Sequence, residues 1–188
     1  LKGEEIEFTS GSINRAIFLL SVPMVLEMIM ESLFAVVDVF FVGRVSTDAV
    51  ATVGLTESVL MLVYSVAIGM SMAATAVVAR RIGEKKPEKA ADAAFQAIMI
   101  SIGFSLVVSV VGIFYAREVL QIMGGSPELI ERGYGYTQVM LGGNVVIMLL
   151  FLINGIYRGA GDASMAMRSL WIANGLNMIL DPIFIFGL

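Results

Sequence analysis

Three acidic residues lie within an otherwise apolar stretch, residues 27–43, which reads EMIMESLFAVVDVFFVG. Each helical residue advances by about 100°, so Glu31 lies about 40° and Asp38 about 20° from Glu27 around the helix axis. The three carboxylates therefore share one narrow face. Because an acid in hydrocarbon costs roughly 2.5–3.5 kcal/mol even on insertion scales, this face is expected to contact protein or a water-filled cavity. The stripe is a candidate functional centre.

A second polar face lies near the end of the chain, where Asn174, Asn177 and Asp181 are followed by Pro182. Spacings of three and four residues place these side chains on one side of a helix. Pro182 cannot donate to the carbonyl four residues earlier, which frees that oxygen. The oxygens of Asp38, Asp181 and Asn177 are hard ligands that suit Na⁺ or a shared proton better than a transition metal. The alternative is a structural hydrogen-bond network between helices.

The composition is that of a membrane protein. Of the 188 residues 58% are hydrophobic and 15% charged, with a mean hydropathy of +0.89, whereas soluble domains carry about 25% charged residues. The absence of cysteine and histidine excludes disulfides, thiol or imidazole catalysis, and the usual zinc and haem ligand sets. No enzyme activity and no cofactor are expected. A net charge of −4 and a pI near 4.8 argue against a nucleic-acid partner.

Long apolar runs separated by short polar breaks predict an all-α bundle of about five transmembrane helices. A cytoplasmic or interfacial segment is expected over residues 1–12. The predicted helices cover residues 13–42, 50–78, 88–116, 134–158 and 166–188.

Particular residues within these spans predict bending and close packing. Pro23 and Pro182 are candidate hinges, with a static bend as the alternative. Gly155 and Gly159 are spaced for close helix packing. Glu57, near the start of the second span, is expected to be an interfacial acid.

The distribution of lysine and arginine predicts a cytoplasmic N-terminus in the cell (inner) membrane. One side would hold Lys2, Arg15, Arg80, Arg81, Lys85, Lys86, Lys89, Arg158 and Arg168, and the other Arg44, Arg117 and Arg132. In this topology Asp38 and Asp181 can lie at similar depth. The acidic start lacks the basic region of a signal peptide. The chain begins without Met and stops at the end of a span, so we expect part of a longer transporter or of an assembly.

Four motifs, in this order along the chain, resemble the multidrug and toxic compound extrusion (MATE) family. They are VVDVFFVGRVSTDAVATVGL, ARRIGEKKPEKA, NGIYRGAGD and the NxxxDP pattern at residues 177–182. The resemblance implies two six-helix lobes, of which this chain would supply the first five helices of the N-terminal lobe. It also implies export of cationic or amphipathic drugs in exchange for Na⁺ or H⁺.

The resemblance further implies roles for individual residues. Asp38 matches the family's principal coupling acid, and Asn177 and Asp181 match its partners, so these three are the candidate cation or proton site. Asn154 and Tyr136 match residues that line the cavity or lie near it, and Pro23 matches a proline associated with bending of the first helix. Glu31 stands where the family more often has a neutral amide, and it is a third candidate cavity-lining residue.

Two rival functions remain open at this stage. A lipid-linked flippase of the same superfamily would share the architecture. A non-transporting membrane fragment would assemble only with a partner. The expected partners are an organic cation or drug, membrane lipid, and the second lobe or another copy.

Overall fold

The computed structural model describes residues 12–187, and within that range every regular element is an α-helix. The all-α fold predicted from the sequence is thus confirmed. The helices are α1 (Ile13–Val42), α2 (Thr47–Gly83), α3 (Pro87–Ile122), α4 (Pro127–Gly142), α5 (Val145–Gly159) and α6 (Ala163–Phe186). The predicted interfacial segment 1–12, apart from Ser12, lies outside the described residues.

The helix starts follow local capping chemistry. The Ser46 hydroxyl accepts a hydrogen bond from the amide of Ala49, so α2 begins three residues earlier than predicted. Asp162 caps α6 in the same way through the amide of Met165. The bounds of α1 agree with the sequence prediction, and that helix is continuous through Pro23.

The predicted fourth span, 134–158, is wrong as a single helix, because the structure has two helices that meet at Gly143 and Asn144. The fully buried Asn144 amide donates to the carbonyl oxygens of Leu141 (2.6 Å) and Ser105 (3.2 Å). The Ser109 hydroxyl donates to the carbonyl of Gly142 at 2.7 Å. These side chains occupy backbone acceptors at the break, so the chain can turn inside the apolar region without leaving them unsatisfied.

Four helical stretches are long and apolar enough to cross a bilayer. They are Thr47–Gly83, Pro87–Ile122, Pro127–Gly159 with its internal break, and Ala163–Phe186. α1 is not among these four, although its 30 residues span about 45 Å at the helical rise. Together with α1 they make the five long helical units expected from the sequence.

The core of the bundle lies around α2. Leu60, Val63 and Ala67 of α2 pack against Leu141 of α4 and Met148 of α5 in one buried cluster. The most extensive contacts between helices are those of α2 with α5 and of α3 with α4, whereas α1 packs chiefly against α6. The bundle therefore combines a densely packed group, formed by α2, α3, α4 and α5, with a more loosely attached α1.

The α2–α5 interface is held by close backbone approach. The Ser71 hydroxyl donates to the carbonyl of Phe151, and the Thr75 hydroxyl donates to that of Gly155, each at 2.8 Å. A β-carbon on Gly155 or Gly159 would lie 2.7 Å from the carbonyl oxygen of Ser71 or Thr75, respectively. These two glycines therefore allow the close packing that their spacing predicted.

The turn between α2 and α3 is organised by one carboxylate. Glu84 accepts hydrogen bonds from Lys86 (3.2 Å), Arg81 (2.9 Å) and Arg80 (3.0 Å). These donors lower the pKa of Glu84 from its usual value to about 2. The carboxylate is therefore ionised throughout the physiological range and fixes the conformation of this basic turn.

We expect Gly155→Ala to destabilise the full-length protein by about 1–3 kcal/mol, because the added methyl group must displace the α2 backbone. The measurement is chemical or thermal unfolding in detergent. Gly69→Ala is the matched control, since no atom lies within 4 Å of a β-carbon built at Gly69. Equal stability of the two variants would contradict the packing described here.

Candidate functional site

Asp38 of α1 and Asp181 of α6 lie near each other at the α1–α6 interface. Their carboxylates are close enough to repel one another electrostatically. Near the same ends of the two helices, the rings of Phe41 and Phe186 pack edge to face with centroids 6.1 Å apart. The structure thus places two acids from different helices in one region of the bundle.

Asn177 supports one of these acids directly. With its amide nitrogen turned toward Asp181, it donates to both carboxylate oxygens at 2.9 Å. From the sequence, the amide oxygen of Asn177 is expected to be a cation ligand. In this orientation the side chain instead supplies a donor that orients the carboxylate and balances part of its charge.

Glu57 and Tyr136 complete this group from α2 and α4. Thr56 directly precedes Glu57, and Thr137 directly follows Tyr136. These two threonines are fully buried and hydrogen-bonded to each other at 2.8 Å. Glu57 is half-buried and lies near enough to Asp38 and Tyr64 to interact electrostatically with both. Its expected role as an interfacial acid stays a prediction. The helices bring it toward the acid on α1.

We call this group the Asp38 cluster; its members are Asp38, Glu57, Tyr64, Tyr136, Asn177 and Asp181. Tyr136 lies near both Asp38 and Glu57. Tyr64 is not among the residues expected from the sequence, although its spacing of seven residues from Glu57 places both on one helix face.

Within residues 12–187 no three acidic side chains converge as a metal-ion site. A cation bound here would need uncharged oxygens beside the carboxylates.

A separate cavity of about 170 Å³ lies between α1, α5 and α6. We call it the Glu27 cavity. Glu31 and Asn154, two of the residues expected to line a cavity, both lie on its wall, whereas Tyr136 does not. The lining residues are Met24, Glu27, Met28, Glu31, Leu150, Phe151, Asn154, Arg158 and Leu170.

The Glu27 cavity contains a buried ion pair. Arg158, in the last turn of α5, donates to Oε1 of Glu27 at 2.8 Å, and Glu27 is only 6% exposed. The second oxygen of Glu27 is buried without a hydrogen-bond partner. Asn154 is also buried, and its side-chain oxygen accepts from the hydroxyl of Ser169 at 3.1 Å.

Sequence reasoning placed Arg158 among the loop cations that set the orientation and did not pair it with Glu27. The available signals were the position of Glu27 on the acidic stripe and the spacing of four residues between Asn154 and Arg158. That spacing puts both side chains on one face of α5. Neither signal indicates which helix packs against α1.

We expect Arg158→Met to destabilise the full-length protein by about 3–5 kcal/mol, because the carboxylate of Glu27 would remain buried without its counter-ion. The double variant Glu27→Met/Arg158→Met should regain most of this loss, since an apolar pair can replace a buried ion pair. Unfolding of both variants in detergent tests the expectation. Additive losses in the double variant would contradict the pairing.

Comparison with known proteins identifies the family of this chain. Residues 23–183 match the MatE family. The chain is 24% identical over 179 residues to an FAD transporter of Shewanella oneidensis, and 23% identical over 189 residues to the multidrug export protein MepA of Staphylococcus aureus. These alignments cover 95% and 100% of this chain but 40% and 42% of those proteins.

The fold agrees with that of a solved transporter. A MOP superfamily transporter from Pyrococcus furiosus superposes with a TM-score of 0.90 and 30% sequence identity, over 100% of this chain and 41% of that one. This chain therefore spans about 40% of the length of the relatives it matches, as one lobe of such a transporter would. The chain belongs to the MatE family, the multidrug and toxic compound extrusion transporters, and it is part of a multi-pass membrane protein.

Proposed function

We propose that this chain is the N-terminal lobe of a secondary active exporter. The exporter would move cationic or amphipathic organic compounds outward in exchange for Na⁺ or H⁺. The proposal includes a second lobe, a cytoplasmic N-terminus and residence in the cell (inner) membrane. Membership of the MatE family and the acidic character of the lobe's interior support it.

The observation that carries the proposal is the position of Asp38 opposite Asp181, with Glu57 nearby. Asp181 of α6 and Glu57 of α2 each repel Asp38 of α1, so this repulsion depends on how the three helices are arranged. A cation or proton bound at Asp38 would relieve it. It would therefore favour a closer arrangement of α1 and α6 than the ion-free lobe adopts.

Coupling to export follows from the same physics. An ion shifts a conformational equilibrium only by the difference between its affinities for the two states. The proposed exchange therefore requires that the Asp38 cluster bind the ion more tightly in the state that releases the organic compound. Pro23, in the half of α1 opposite Asp38, is a site at which that helix can bend in response.

The acidic residues of α1, α2 and α6 favour a cationic cargo. Glu27, Glu31, Asp38, Glu57 and Asp181 are all acidic, and Arg158 provides the basic side chain in the Glu27 cavity. A phosphate-bearing cargo, such as the FAD moved by the relative from Shewanella oneidensis, would be repelled by this set of carboxylates. We therefore favour drug-like cations over anionic dinucleotides.

The lipid flippase and the non-transporting fragment are the remaining alternatives. A flippase would show lipid-dependent activity without gradient-driven cation flux. A fragment would neither bind nor move cations in the absence of its partner. The buried position of Glu27 and the acidic neighbours of Asp38 favour the exporter over both.

The experiment is efflux of ethidium from proteoliposomes that contain the full-length protein, under a sodium gradient or a proton gradient applied separately. We expect Asp38→Asn and Asp181→Asn each to lower gradient-driven flux by on the order of tenfold or more, the usual scale of coupling between sites. The control is Asp92→Asn, an exposed aspartate of α3. Flux that tolerates both cluster substitutions would refute the proposed site.

Glu57→Gln tests the place of α2 in the same cluster. Removing this charge leaves Asp38 with less electrostatic repulsion, so the affinity for the coupling ion should fall. The fold should be kept, because glutamine has nearly the same size and shape as glutamate. The measurement is the ion concentration that gives half-maximal ethidium efflux, and we expect this value to rise. An unchanged half-maximal concentration would remove Glu57 from the cluster.

A further inference from the structure

The pair Glu27–Arg158 has a special position in the bundle. Among residues 12–187 it is the one side-chain hydrogen bond or ion pair that joins α1 to another helix. α1 otherwise packs chiefly against α6, where the rings of Phe41 and Phe186 lie edge to face. Glu27 follows Pro23 by four residues, so the pair fixes α1 one turn beyond its proline.

The charges in the Glu27 cavity do not balance. Glu27 and Glu31 place two carboxylates on its wall, and Arg158 supplies one guanidinium. Arg158 pairs with Oε1 of Glu27, whereas Oε2 of this 6% exposed residue is buried and has no partner. An unpaired buried carboxylate oxygen is costly, so Glu27 can accept a further hydrogen bond, and the negative charge of the residues lining the cavity exceeds the positive charge.

The remaining wall defines what kind of donor fits. Met24, Met28, Leu150, Phe151 and Leu170 make most of the lining apolar, and the volume is about 170 Å³. A compact protonated amine on an apolar or aromatic group matches both properties. Arg158 already places a cation at the same carboxylate, tethered to α5.

We propose that Arg158 is an exchangeable internal counter-cation, and that a protonated amine entering the Glu27 cavity displaces it from Glu27 and so releases α1 from α5. The proposal rests on the proposed export of organic cations and names a residue that sets its specificity. The exchange replaces one ion pair by another, so the buried carboxylate keeps a partner throughout. Arg158 is a positioning residue that acts through Glu27.

This arrangement links ligand binding to the position of α1. Because coupling between two equilibria is reciprocal, an amine that opens the ion pair must bind more tightly when the pair is weakened. Arg158→Gln is therefore expected to raise the affinity for a protonated amine roughly fivefold or more, the lower end of typical coupling. Arg158→Lys keeps the charge but loses the planar guanidinium. Its affinity for a protonated amine should lie between those of wild type and Arg158→Gln.

The test uses the full-length protein in detergent and radiolabelled benzylamine in its protonated form as the probe. Benzyl alcohol, which has a similar shape without the charge, is the neutral competitor and should not displace the probe. The position of α1 is followed by the distance between nitroxide labels at Ser32→Cys and Ala160→Cys, two exposed sites on α1 and after α5. This chain contains no cysteine of its own.

Two variants keep the test decisive if Arg158→Gln fails to fold. The double variant Glu27→Gln/Arg158→Gln removes both charges, so its label distance should no longer respond to benzylamine. Arg168→Gln removes an exposed arginine of α6 and is the control for a general change in charge. It should leave the benzylamine affinity within twofold of wild type, about the error of such comparisons.

The outcomes separate this inference from the proposed function. Tighter benzylamine binding in Arg158→Gln or Arg158→Lys, together with a ligand-dependent label distance in wild type, supports the exchange even if ethidium efflux does not depend on Asp38. Affinity equal to wild type in those variants overturns the exchange even where efflux is normal. Failure of wild type to bind benzylamine overturns the exchange as well. It is also overturned if Arg168→Gln raises the benzylamine affinity as much as Arg158→Gln does.

Discussion

The cost of placing a charge in hydrocarbon governs this lobe. α1 carries three carboxylates on one face, and each would be expensive in contact with lipid. The structure meets this constraint in two ways. Glu27 is buried against an arginine from α5, and Asp38 lies beside the polar face of α6. The orientation of α1, and with it the positions of both polar regions, follows from the need to keep this stripe away from lipid.

The other helices provide a rigid frame for that arrangement. Serine and threonine hydroxyls on α2 bond to carbonyls of α5, and glycines allow the two backbones to approach closely. In the bilayer there is no hydrophobic driving force between helices, so close packing and such hydrogen bonds are what hold them together. α1 lacks comparable contacts with this frame, because it packs chiefly on α6 and forms one polar side-chain bond to α5 among the described residues.

This difference in attachment has a functional meaning. A helix held by few polar contacts can change position at a low energetic cost, whereas the frame of α2 to α5 would have to lose many close contacts at once. In the proposed mechanism, ligands that bind at the ends of the acidic stripe act on the helix with the fewest polar contacts to the frame. Glu27 and Asp38, eleven residues apart in the sequence, place two chemically different regions on this one helix.

The helical class, the bounds of α1 and the acidic stripe could be predicted from the sequence, because these depend on apolar content and on the angle between successive residues. Its motifs also indicated the family. The break at Asn144 could not be predicted, since it depends on bonds to Ser105 and Ser109 of another helix. The pairing of Arg158 with Glu27 and the approach of Glu57 to Asp38 depend on how the helices pack, and no pattern in the sequence predicted them. Periodicity tells which residues share a face of one helix, but which helices pack together is set by long-range contacts along the chain.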